Sequence, residues 1–258
     1  MTTTSAQAAR RDYPTVPIYG IPFSKMNMQE TVAYLIRAIE ERRPQRVITG
    51  NPEMIMIGLQ DPGFYRALST ADLVVPDGTG VVWTAQRVKQ PVAERVAGFD
   101  LLHELLRVGD GRGWGVYLLG ASQEIVDEAH AKLKAAYPGI RFVGTRNGYF
   151  TDDDDEGVVA AIRAAKPDLL FVARSMSRQE PWLAKHAEAL DVPVMMGVGG
   201  SFDVIAGKVK RAPLLFRKLR LEWFYRLIRE PWRFRRMLVL PRYALKVVKD
   251  GENVLKTR

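Results

Sequence analysis

The chain repeats one pattern: an apolar run of strand length, then an amphipathic segment of helix length. The runs VPIYGI (16–21), RVIT (46–49), DLVV (72–75), GVYLLG (115–120), IRFVG (140–144) and DLLFVA (168–173) are each followed by such a segment, over 28–41, 53–68, 81–89, 124–136, 156–165 and 181–190; VPVMMGVG (192–199) closes the series. A strand that is apolar along its whole length has both faces buried, and a helix between successive strands returns the chain so that they run parallel. The pattern predicts an α/β fold over residues 14–206: a Rossmann-like, mostly parallel sheet with helices on both faces.

Local signals agree. Asn27 and Glu30 stand at capping-box spacing, and Thr151 precedes Asp152, Asp153, Asp154, Asp155 and Glu156, where a helix start favours both a cap and negative charge. The acidic run also contains the D-x-D spacing of metal-dependent sugar transferases, but it follows no buried strand closely, which favours the helix start. Residues 1–13 read as disordered. The absence of cysteine excludes a disulfide framework, a thiolate nucleophile and cysteine-bound zinc. The N-terminus lacks the apolar core of a secretory signal, and no apolar stretch approaches the ~20 residues of a spanning helix. The expectation is a cytoplasmic protein, free or lying on the inner face of the membrane.

The formal net charge of +9 is unevenly placed. Residues 207–258 hold 16 Lys and Arg against 4 Asp and Glu, which leaves the first 206 residues at −3. The tail therefore reads as a separate basic, helical C-terminal appendage. Within it, LLFRKLRLEWFYRLIREPWRFRRMLVLPRY (214–243) interleaves aromatic and aliphatic residues with arginines. Arg226, Arg229, Arg233 and Arg236 would share one face of a continuous helix, although Pro231 either breaks that helix or begins a second one. A basic face beside Trp and Phe suits an anionic membrane surface. The mildly acidic body argues against nucleic acid as the partner, and packing on the chain's own domain or on a second subunit is compatible with the membrane reading.

Ligands of open parallel sheets bind beyond the carboxyl ends of the strands. The polar residues that follow the apolar runs are Thr49, Asn51 and Glu53; Asp77; Ser122 and Gln123; Arg174 to Glu180; and Ser201 and Asp203 after Gly199 and Gly200. Singly they have ordinary explanations: Asn51 and Ser122 as helix caps, the glycines as turns, and Gly199-Gly200 as at most a weak phosphate cradle. GDGRGWG (109–115) precedes a strand and reads as a surface turn. Asp77 sits at the end of a buried strand, where lost hydration raises its proton affinity and a cation such as Arg95 would keep it ionised if the fold joins them. Such a carboxylate is suited to take a proton from an attacking sugar hydroxyl. Local sequence leaves a second reading open, a cap for a helix beginning near Thr79. His103, His130 and His186 fall in helical segments and in no catalytic pattern, so they read as packing or surface residues. The first strand and helix lack the dinucleotide fingerprint of a dehydrogenase.

TGNPEM, VVPDGTGVVW, ERVAGFDLL, GVGGSFDVIAGKVKRAP and LEWFYRLIREPWRFRR, in this order, resemble the WecG/TagA/CpsF family, glycosyltransferase family 26, over nearly the whole chain. Members are bacterial inverting glycosyltransferases that act on polyprenyl-diphosphate-linked sugars in making wall teichoic acid, enterobacterial common antigen and capsular or exopolysaccharides. The resemblance implies a UDP-sugar donor carrying N-acetylmannosamine or a related hexosamine or uronic acid, a polyprenyl-diphosphate acceptor, no metal or other cofactor, and self-association. It implies Asp77 as catalytic base, Thr49, Asn51, Arg95 and Gln179 as pocket residues, and Arg226, Arg233 and Arg236 as arginines that close over the site and bind the diphosphate. One segment departs from the pattern: where the family carries G-x-P-[KR]-Q-E, this chain has Arg174, Ser175, Met176 and Ser177 before Arg178, Gln179 and Glu180. That departure keeps open a catalytically degenerate, nucleotide-binding regulatory protein of the same fold.

Overall fold

The computed structural model describes residues 11–213, 215–216, 222–229, 231 and 234–256. Eight strands form one sheet: β1 (Thr15–Ile18), β2 (Ile21–Ser24), β3 (Gln45–Gly50), β4 (Leu73–Pro76), β5 (Gly115–Gly120), β6 (Arg141–Arg146), β7 (Leu169–Ala173) and β8 (Val194–Gly197). Their order is β1-β2-β4-β3-β8-β7-β5-β6. Every neighbouring pair is parallel except β1 with β2. The strands thus fall into an N-terminal half, β1 to β4, and a C-terminal half, β5 to β8, which meet where β3 pairs with β8.

The helices between strands are α1 (Met28–Glu40), α2 (Pro52–Gly58), α3 (Pro62–Ser69), α4 (Thr79–Arg87), α5 (Gly98–Asp110), α6 (Gln123–Ala136), α7 (Asp155–Ala165) and α8 (Met176–Leu190), and α9 (Ser201–Ala206) follows β8. The strands explain why both faces are covered. Leu73 and Val75, with Leu169 and Phe171, join a core containing Leu35, Leu105 and Val126 of α1, α5 and α6. The alternate residues point the other way: Val74 packs with Ile55, Phe64 and Val81, and Leu170 and Val172 with Val158 and Leu183. Period-two alternation of two apolar faces is the physical content of the continuous apolar runs. The expected α/β class holds.

Several boundaries differ from expectation, each for a local reason. VPIYGI is not one strand: Tyr19 and Gly20 both take positive φ, 50° and 78°, and turn β1 back antiparallel on β2. The segment 53–68 is two helices, because Asp61 caps a new start with its carboxylate accepting from Gly63 N and Phe64 N, and Pro62 occupies the first turn. The helix expected over 181–190 begins earlier, at Met176, with Pro181 inside it. Of the stretch expected to be disordered, Arg11 donates to the Ser69 and Ala71 carbonyls and Tyr13 is buried against Tyr34.

The capping box at Asn27 and Glu30 is present, and Thr151 forms one with Asp154 ahead of α7. Asp155 is buried and accepts from Trp182 Nε1, Lys185 Nζ and His186 Nε2 at 2.8–2.9 Å, so the acidic run fixes α7 to α8. His103 and His130 pack against Tyr137 and Phe142.

Beyond Gly207 come α10 (Glu222–Arg229), α11 (Phe234–Met237) and α12 (Val239–Asp250). Among the described residues α10 ends at Arg229, Pro231 has 3-10 helical conformation, and α-helix is described again from Phe234. In α12, Tyr243 and Val247 are buried in the core of the N-terminal half together with Val254, whose carbonyl accepts from Tyr19 N at 2.7 Å. Among the described residues, no helix is long and apolar enough to cross a membrane.

Tyr243 joins α12 to α4 through a 2.8 Å bond between its hydroxyl and Thr84 Oγ1, which is also bonded to the Gly80 carbonyl. Tyr243→Ala, by emptying a fully buried aromatic site, should lower the urea unfolding free energy by about 3–5 kcal/mol. Tyr243→Phe should cost only about 1 kcal/mol, because Thr84 keeps its backbone partner.

Candidate active site

The carboxyl ends of β4, β3 and β8, the three strands around the junction of the two halves, open onto a cavity of about 300 Å³. Asp77 lies in its wall immediately after β4. Its N–H donates to the Gly50 carbonyl at 3.0 Å, which ties the turn after β4 to the end of β3. Gly78 is the N-cap of α4, without a side-chain hydrogen bond, so Asp77 does not cap that helix. Its carboxylate instead faces the backbone N–H of Gly98, in the first turn of α5, whose own N-cap residue, Ala97, has no polar side chain to offer.

Arg95 reaches Asp77 because Val96 N donates to the Pro76 carbonyl at 3.1 Å and draws the loop across the end of β4. The guanidinium bonds three ways: Nε to the Asp77 carbonyl, Nη2 to Asp77 Oδ1 at 3.0 Å, and Nη1 to Glu222 Oε2 at 2.7 Å. Burial is the strongest influence on Asp77 and raises its proton affinity. The Arg95 charge, the Arg95 hydrogen bond and the Gly98 N–H oppose it, Glu222 adds to it, and the carboxyl ends above its ordinary value. Burial disfavours the charge on Arg95, but Asp77 and Glu222 outweigh it and hold the guanidinium protonated. The Asp77 side chain keeps 26% of its exposure, enough to meet a ligand in the cavity.

The other candidates are placed less uniformly. Asn51 lines the cavity and also caps α2, its Oδ1 accepting from Met54 N at 3.1 Å. Thr49 stands behind the wall: a Cβ on Gly98 would come 2.6 Å from Thr49 Cγ2, so the threonine supports the start of α5. Gln179 is buried beneath the turn after β8, with Oε1 accepting from Gly199 N at 3.2 Å and Nε2 donating to Glu180 Oε1 at 2.8 Å. Arg233 lies outside the described residues, as do the side chains of Arg226 and Arg236. Of the five polar strand ends, those after β5 and β7 contribute no residue to the lining of the cavity. Ser122 caps α6, and the Arg174 guanidinium sits 4.0 Å from the centre of the Phe150 ring.

Strand-end reasoning misses Phe99, Arg211, Glu222 and Trp223, which line the cavity from α5, from the segment after α9 and from α10. Arg211 donates through Nη2 to both Asp100 oxygens at 2.7 and 2.8 Å and lies 4.4 Å from the centre of the Phe99 ring. Arg211 and Glu222 fall in VKRAP and LEWFYR, two of the motifs quoted above; nothing in their own spacing points to the cavity. Among the described residues, no three His, Asp or Glu side chains converge to hold a metal ion.

The family model described as "Glycosyl transferase WecG/TagA/CpsF family" matches residues 16–256. A protein of Bacillus subtilis (strain 168) named N-acetylglucosaminyldiphosphoundecaprenol N-acetyl-beta-D-mannosaminyltransferase is 36% identical over 240 residues, 93% of this chain and 93% of the relative. The protein of the same name from Staphylococcus aureus (strain MW2) is 35% identical over 251 residues, covering 96% of this chain and 98% of the relative.

Glu180, the partner of Gln179, is 1% exposed and burial pushes its carboxyl up to about 7; the Gln179 hydrogen bond and the Arg46 charge oppose that shift. A Cβ on Gly197 would come 2.4 Å from Glu180 Oε1, so the absence of a side chain there makes room for this carboxyl at the end of β8. A carboxyl with a raised folded-state pKa stabilises the protein below the unfolded value, and that contribution is lost as pH rises toward the folded value. Glu180 should therefore cost roughly 3 kcal/mol of stability between pH 4.5 and about 7, and none further above that. Unfolding curves for wild type and Glu180→Gln should diverge across that window, with the wild type losing stability relative to the variant. Parallel pH profiles would show that Glu180 does not titrate there.

Proposed function

The chain belongs to the WecG/TagA/CpsF glycosyltransferase family, and we propose that it transfers an N-acetylmannosaminyl group from a UDP-sugar to an N-acetylglucosaminyl group on undecaprenyl diphosphate, with inversion. The observation that carries this reading is Asp77 itself: a carboxylate of raised proton affinity, oriented by Arg95, at the strand-end cavity of a family whose members transfer sugars.

The chemistry follows from that placement. The acceptor hydroxyl attacks the anomeric carbon while Asp77 removes its proton, the new C–O bond forms, and the bond to the diphosphate breaks. From an α-linked sugar nucleotide, a β-linked product of the kind in the relatives' names requires one displacement, and a single base serves it. The departing diphosphate needs positive charge fixed in advance. Arg95 lies beside the base, and Arg226, Arg233 and Arg236 of the appendage are the further candidates, so that the reaction proceeds without a metal ion.

The acceptor is lipid-linked, which places the working enzyme at a membrane surface, on its cytoplasmic face if the donor is a UDP-sugar. The basic segment after Gly207 supports that docking. Trp223, Phe224 and Ile228 are exposed on α10, and Leu245 and Val248 on α12 beside the exposed Arg242 and Lys249.

With UDP-N-acetylmannosamine and a synthetic N-acetylglucosaminyl polyprenyl diphosphate, wild type should form product at an undiminished rate in excess EDTA. Asp77→Asn should lose about 100-fold or more in kcat. Below neutrality, kcat/KM should fall through a midpoint above 3.8, the ordinary aspartate value, as Asp77 takes up its proton. Undiminished transfer by Asp77→Asn removes the base, and no transfer from any of a panel of UDP-sugars removes the proposed activity. Vesicles containing about one-third anionic lipid should bind the chain, and added salt should weaken that binding.

A further inference from the structure

Glu222 is the first residue of α10, yet its carboxylate is turned into the cavity, with 15% of its side chain exposed. Two guanidinium groups from different parts of the chain meet it there. Arg95 Nη1 lies 2.7 Å from Oε2, and Arg211 Nε lies 3.9 Å from Oε1. Arg211 is anchored from behind by Asp100 through Nη2, which leaves its Nε edge toward Glu222. A carboxylate held between two guanidinium edges occupies a place that a phosphate group also fits, because arginine binds both through the same parallel N–H directions.

The charge balance makes this place unusual. Among the described residues that line the cavity, Glu53, Asp77 and Glu222 are carboxylates, while Arg95 and Arg211 are the cations. A diphosphate entering that lining as it stands meets excess negative charge and finds the nearest donors already engaged. Withdrawal of Glu222 cancels that excess: it removes one carboxylate, leaving two against two cations, and bares one edge of each arginine at the same point. Neither arginine loses its position, because Asp77 retains two bonds to Arg95 and Asp100 retains two to Arg211.

We propose that the notch between Arg95 and Arg211 is a subsite for a phosphate group of the donor's diphosphate, that Glu222 is its internal occupant, and that donor entry displaces Glu222 and frees the first turn of α10. The assignment rests on the reading of the chain as a sugar-nucleotide transferase, and it adds Arg211 to the donor site and a competing carboxylate to the appendage. Attachment of the appendage through Glu222 and occupation of the subsite by phosphate are then alternatives, so that the donor itself repositions the segment that begins with α10.

The test uses inorganic pyrophosphate, which carries the phosphate chemistry without uridine or sugar, and UDP, each titrated calorimetrically into the full chain. Glu222→Gln keeps the shape and removes the competing charge, so pyrophosphate should bind about 5- to 10-fold more tightly than to wild type. Arg211→Gln in that background should abolish the gain. In wild type, saturating pyrophosphate should shift the emission of Trp223, the neighbour of Glu222 in the cavity wall, and Trp223→Phe should lack that shift. Equal or weaker pyrophosphate binding by Glu222→Gln, or an emission spectrum unchanged at saturation, overturns the proposal. The fluorescence arm uses the wild-type fold, so it decides the matter even where the Gln variant unfolds. Pyrophosphate affinity reads the notch alone: if it responds as expected while no UDP-sugar is turned over, the subsite stands and the assigned reaction fails.

Discussion

The ion pair between Asp77 and Arg95 is the contact on which the site depends. One guanidinium holds both the backbone carbonyl and the carboxylate of Asp77, so the residue that follows β4 is fixed in position and in side-chain rotamer by the same group. The carboxylate is buried enough for desolvation to raise its proton affinity, and Arg95 and the Gly98 N–H keep that rise in check. A base needs this balance: too little burial leaves a weak proton acceptor, and burial without a cation leaves a neutral acid at working pH.

The fold supplies the pair with a setting. The halves of the sheet meet where β3 pairs with β8, and the cavity opens above that junction, at the strand ends where an α/β sheet exposes backbone groups and helix starts. The wall after β8 is fixed from beneath by a buried sequence of polar groups, from Glu180 to Gln179 to the Gly199 N–H. Gln179 thereby acts on the shape of the cavity from behind its wall. Of the altered residues at 174–177, Arg174 packs on Phe150 and Met176 against the core of the N-terminal half, and none lines the cavity, while Gln179 and Glu180 bond to each other beneath it.

The C-terminal segment has two structural roles. Through Tyr243 and Val247 of α12, and Val254 beyond that helix, it completes the core under the N-terminal half, and the Tyr19 hydroxyl and N–H bond to Asp250 and Val254. Through Glu222, Trp223 and Met237 its earlier helices form part of the cavity wall. A net-charge count identifies this segment as distinct, but describes it as an attachment. Its packing makes it a component of both core and site, while apolar residues of α10 and α12 remain exposed.

The sequence by itself determined the class of fold, because period-two burial on both faces and helix-length spacers admit few arrangements other than a covered parallel sheet. It also determined the caps at Asn27, Asn51, Ser122 and Thr151, which act within a few residues of themselves. It placed Asp77 at a strand end and left open whether that carboxylate was a cap or a base. Tertiary structure decided the rest: which three strand ends share a cavity, that Gln179 points beneath it, and that Arg95 meets both Asp77, 18 residues away, and Glu222, 127 residues away. Strand order and crossover set those meetings, and no local periodicity encodes the distance between residues so far apart in the chain.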